Sequence, residues 1–109
     1  MLGRILILLV VLGACGAARG DSPYTARKNG PSVSEDFFPI AVWLQSPANA
    51  AKYQAIGINV YVALWRSPTA EQLDELKKLD IRAICHFRPE LKYDPTIIGW
   101  MHGDEPDNA

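Results

Sequence analysis

The densest group of reactive side chains lies in Gly103-Asp104-Glu105-Pro106-Asp107. Asp104 and Glu105 are adjacent carboxyls, and a like charge close by raises a carboxyl pKa. A carboxylic acid still protonated near neutral pH can serve as a general acid. The same residues have two other readings. Asp104, Glu105 and Asp107 offer oxygen ligands to a Ca²⁺ ion, although no ligand repeat accompanies them. Gly, Asp and Pro are also turn residues, so a solvated turn is the plain structural alternative. His86 and His102 are too few and too isolated for a zinc site, which leaves each to a local hydrogen bond or a ligand contact. Trp43, Trp65 and Trp100 are three tryptophans in 109 residues. Each is either core or a platform for a flat apolar ligand face. Arg66 follows Trp65 and is either a ligand contact or a solvated loop residue.

Four apolar runs position these groups. Phe38 to Leu44, Ile58 to Trp65, Ile81 to Phe87 and Ile97 to His102 are short and rich in β-branched and aromatic residues, as strands buried on both faces are. Between them lie helical stretches. Ser46-Pro47 supplies an N-cap and a Pro at the first helical position for a helix over Ala48 to Ile56, with Gly57 to end it. Ser67-Pro68 repeats that grammar before a helix over Thr69 to Leu79. Leu73, Leu76 and Leu79 give that helix one apolar stripe, and its charges run from Glu71 to Lys78 as the helix dipole favours. Only nine residues, Arg88 to Thr96, separate the third and fourth strands. A parallel crossover takes about a dozen or more, so a single helical turn over Pro89 to Tyr93 is the expectation there.

Strand-helix-strand units with short connections predict a parallel α/β sheet. No G-x-G-x-x-G loop follows a strand, which removes the main support for a dinucleotide-binding sheet. Polar and aromatic residues instead gather at strand C-terminal ends: Trp43 and Gln45, Trp65 and Arg66, His86 and Arg88, His102 to Glu105. Those ends build the active site of a (β/α)8 TIM barrel.

Within that pattern, Ile97-Ile98-Gly99-Trp100-Met101-His102-Gly103-Asp104-Glu105-Pro106 resembles the fourth-strand motif of the clan of retaining (β/α)8-barrel glycoside hydrolases that includes β-galactosidases, cellulases and agarases. Trp100, Gly103, Glu105 and Pro106 stand at matching positions, and Asp104 replaces the clan's Asn. The resemblance implies that Glu105 is the general acid/base. It implies that Asp104 contacts the sugar or tunes that acid, and that Trp43, Trp65, Arg66, His86, Trp100 and His102 are candidate sugar contacts. It also implies that residues 37–109 are the first four βα units of a barrel, with a nucleophilic Glu further along than residue 109. No cofactor is implied. The alternative function is a lipid-anchored carbohydrate-binding or scaffold protein on a degenerate barrel, without turnover.

Net charge is −1 and the pI about 6.1, so no polyanion-binding surface is indicated and nucleic acid is not an expected partner. At the N-terminus, Arg4 precedes the apolar run Ile5 to Leu12, too short to cross ~30 Å of hydrocarbon. It suits the apolar region of an export signal spanning residues 1–20. Leu12-Gly13-Ala14-Cys15 resembles a bacterial lipobox, which implies lipidation of Cys15 and membrane attachment through acyl chains. Signal cleavage after Ala18 or Gly20, giving a secreted or periplasmic protein, is the alternative. Residues 21–36 have the composition of a flexible linker. Cys85 is the only other cysteine, so a disulfide framework is not expected and a buried free thiol is.

Overall fold

A computed structural model of the chain describes residues 23, 25 and 27–103. Residues 1–20, expected to be an export signal, and Cys15, Asp104 and Glu105 lie outside the described residues.

Four strands, β1 (Ala41–Gln45), β2 (Val60–Leu64), β3 (Arg82–His86) and β4 (Ile97–Met101), form one sheet in the order β1-β2-β3-β4. Every pairing is parallel. Two helices cross between strands: α1 (Ala50–Ala55) joins β1 to β2, and α2 (Ala70–Lys78) joins β2 to β3. The expected alternation of strand and helix is therefore present, and the fold is parallel α/β.

Both crossovers pack on one face. Tyr53 of α1 meets Tyr61 of β2 edge to face, with ring centroids 6.0 Å apart. Leu73 and Leu76 of α2 are fully buried in the same cluster as Tyr61, Ala83 and Cys85. Burying one Leu side chain contributes on the order of 1.5–3 kcal/mol, so α2 is held mainly by these two residues. A right-handed crossover between sequential parallel strands places its helix on the same side each time, and the sheet order shows no reversal.

The first cap forms as the sequence predicts. Ser46 Oγ accepts a hydrogen bond from the Ala48 amide at 3.3 Å, and Pro47 opens a 3-10 turn, Pro47–Asn49, that leads into α1. Gly57 has φ +93°, the left-handed conformation expected after a helix end. The second cap differs from expectation. Thr69, not Ser67, is the N-cap of α2. Its Oγ1 accepts from the Gln72 amide at 3.3 Å, while Gln72 Oε1 accepts from the Thr69 amide at 3.2 Å. This reciprocal capping box satisfies two otherwise orphaned donors. Ser67 is thereby free for another partner.

The short β3–β4 connection contains a single 3-10 turn, Pro89–Leu91, as its length requires. It covers less of the sheet than a helix. Residues 27–33, within the stretch 21–36 that composition marks as a linker, lie near Arg82 of β3 and near β4. Arg27 and Asn29 share a cavity with Ile97, Ile98, Gly99 and Trp100, and Gly30 to Val33 share another with Arg82. Among the described residues no helix is long and apolar enough to cross a membrane.

Candidate functional site

Strand alternation divides the sheet's side chains between two faces. Tyr61, Ala83 and Cys85 point towards the helices, so Val62, Ile84 and His86 point away from them. Trp43 pairs with Val62, and His86 with Met101, which puts Trp43 and Met101 on this second face as well. Trp43, His86, Met101, His102 and Gly103 line one cavity of about 250 Å³ at the C-terminal ends of the strands. This is slightly smaller than the ~300–1,000 Å³ of typical ligand sites. Trp43 is 58 % exposed although it lies in a strand of the sheet, so its ring is open to a ligand. Gln45, one turn of the pleat further on, donates from Nε2 to the Trp43 carbonyl at 3.2 Å and keeps that strand end ordered.

The arrangement sets an exposed indole face beside two polar rings. An exposed indole face accepts apolar C–H surface, and two imidazoles each offer a donor and an acceptor when neutral. Among the described residues no group of three His, Cys, Asp or Glu side chains is placed to hold a metal ion.

Trp100 lies apart from this cavity. Between Ala83 and Ile84 the β3–β4 register shifts: Ala83 faces Ile97, but Ile84 faces Gly99, leaving Ile98 as the extra residue. Without that bulge Trp100 would stand opposite His86. With it, Trp100 stands opposite buried Cys85 and Met101 takes the place beside His86. A one-residue slip exchanges the two faces of a strand. Trp100 instead packs edge to face on Phe87, centroids 5.1 Å apart, against the helix-side core. Met101 and Gly103 are cavity residues that sequence reading passed over. The signal that hides Met101 is the same bulge, because simple alternation from Trp100 assigns it to the wrong face.

Trp65 and Arg66 are both exposed in the turn after β2. Arg66 and Ser67 have φ +65° and +74°, and Leu44 and Ala63 have φ +50° and +59°. These four are among the five positive-φ residues other than glycine in the described part of the chain, and all four lie at the C-terminal ends of β1 and β2. Each such conformation costs on the order of 1–3 kcal/mol and persists only where the surroundings enforce it. The Trp65–Ser67 turn is enforced from several sides. Its ties are Trp65 N–H to the Gln45 carbonyl at 3.3 Å, Ser67 N–H to the Leu64 carbonyl at 3.2 Å, and Gln72 Nε2 to the Trp65 carbonyl at 2.8 Å. Strain of this kind concentrates at binding and catalytic sites.

No protein-family model, curated protein or solved structure matches the chain.

Proposed function

We propose that the chain carries the first four βα units of a (β/α)8-barrel glycoside hydrolase, with Glu105 as its general acid/base and Asp104 contacting substrate or tuning that acid. The observation that carries this reading is the gathering of an exposed Trp43, His86, His102 and four left-handed backbone positions at the C-terminal rim of a parallel sheet. That rim is where barrels of this kind do their chemistry. Consecutive parallel strands with both helices on one face are also what half of a (β/α)8 barrel requires. Trp43 is the wall of the sugar site in this reading, with Trp65 and Arg66 on its rim. The nucleophilic carboxylate that a retaining mechanism needs ~5–5.5 Å from the acid would come from further chain. Cys15 would hold the protein at a membrane surface through its acyl chains.

The test is Glu105→Gln in the full-length protein. A general acid contributes about 10²–10⁴-fold. Hydrolysis of alkyl β-glycosides, whose leaving groups need protonation, should fall by that factor, and 4-nitrophenyl β-glycosides should lose less. Unchanged alkyl-glycoside turnover would remove Glu105 from the role. Oligosaccharide binding without turnover in the unsubstituted protein would favour the non-catalytic alternative.

A further inference from the structure

We infer that Arg88 is a positioning residue whose guanidinium clamps the left-handed Arg66–Ser67 turn and so holds Trp65 and Arg66 in place as a sugar-contact platform at the rim.

Arg88 comes two residues after His86, where the chain leaves β3, and its side chain reaches back to the β2 end. Nε and Nη2 both donate to Ser67 Oγ, at 3.2 and 2.6 Å. Both donors of the fork converge on the one hydroxyl oxygen, with the Nη2 bond the shorter. A planar guanidinium fixes direction as well as distance, which a lysine ammonium does not. The bond lands on one of two consecutive non-glycine residues with positive φ. Ser67 is therefore held where a serine is seldom found, by a partner brought from the next strand.

The adjoining side chains explain what the clamp serves. Trp65 is 52 % exposed and Arg66 is exposed, so neither pays back the turn's strain by burial. The remaining bonds of the turn fix its carbonyls and amides to β1, β2 and α2. Arg88 grips a side chain of the turn itself, the Ser67 hydroxyl. Together these contacts set the direction of an indole and a guanidinium at the strand ends. An exposed indole suits the apolar face of a pyranose ring, and a guanidinium with its fork of donors suits hydroxyl or carboxylate oxygens. This inference rests on the rim being the sugar site.

The experiment uses the full chain in three forms: unsubstituted, Arg88→Ala, and Arg88→Ala combined with Ser67→Asn. Asparagine adopts the left-handed conformation more readily than serine, so it can restore the turn without the clamp. Hydrogen exchange at the Ser67 amide reports the turn, and exchange at the Leu73 amide in α2 serves as the control for global folding. Loss of a charge-assisted bond should speed Ser67 exchange about tenfold or more, leaving Leu73 unchanged. With whichever 4-nitrophenyl β-glycoside the unsubstituted protein hydrolyses, Arg88→Ala should raise KM about tenfold and leave kcat within about twofold. Ser67→Asn in that background should bring both exchange and KM back. Unchanged Ser67 exchange in Arg88→Ala overturns the clamp. A KM that stays high after Ser67→Asn has restored exchange also overturns it, because Arg88 would then be contacting the sugar directly. The exchange readings need no turnover, so they decide the clamp even if no glycoside is hydrolysed.

Discussion

Cys85 and Tyr61 both belong to the helix-side core, and burial acts on both in the same direction. It pushes the Cys85 thiol from 9.0 up to about 11, with the nearby Asp94 carboxylate adding to the shift. It pushes the Tyr61 phenol from 10.0 up to about 12, with Tyr53 contributing. In each case the folded protein keeps a proton that the unfolded chain gives up earlier. The stabilisation is therefore complete below pH 9 and declines as the pH rises through the folded values. The urea midpoint should fall between pH 9 and pH 11, and Cys85→Ala should flatten the first part of that decline. A midpoint independent of pH over this range would contradict the burial of both groups. The same burial makes Cys85 slow towards iodoacetamide until the chain unfolds, which separates it from the reactive thiols found at electropositive, partly open sites.

At the scale of elements, the capping box on α2 gives the most direct forecast. Thr69 is exposed, so Thr69→Ala removes little packing and leaves the first-turn amides without their partner. The cost should be about 1 kcal/mol in urea unfolding, and a cost near zero would show that solvent replaces the threonine. The apolar runs and the Ser46-Pro47 start are local signals, and the sequence carries them openly. Three features are non-local and could not be read there. Apolar residues at strand ends, such as Phe38 and Ile40, lie outside β1 and are exposed, because hydropathy marks a run but not where its hydrogen bonding begins. Asn59 accounts for their order in another way: its side chain accepts from the Ile40 amide and donates to the Phe38 carbonyl, both at 2.8 Å. The Ile98 bulge decides which face Trp100 and Met101 occupy, and it follows from pairing with β3. Ser67 has the look of a cap because it precedes a proline, yet its hydroxyl is claimed by Arg88, a residue 21 positions away. Of the residues that line the Trp43 cavity, Trp43, His86 and His102 are legible as strand-end residues, whereas the helix-side placement of Trp100, the cavity position of Met101 and the reach of Arg88 to Ser67 are not.

At the scale of the whole molecule, one face of the sheet stands out. Parallel sheets are normally covered on both sides, and α1 and α2 cover only the face carrying Tyr61 and Cys85. On the other, Val62, Ile84 and Met101 are half-buried and Trp43 is exposed. Residues 1–109 expressed alone should bind an apolar dye such as ANS at this face. Trp43→Lys should weaken the dye signal while leaving the α2 amides protected; a signal unaffected by Trp43→Lys would place the dye elsewhere. The helix side has its own thin place over β4, where a 3-10 turn stands in for a helix and residues 27–33 lie alongside. With only that turn and a polar segment beside it, β4 has less cover than β2 or β3, and local opening of the sheet is expected to start on that side.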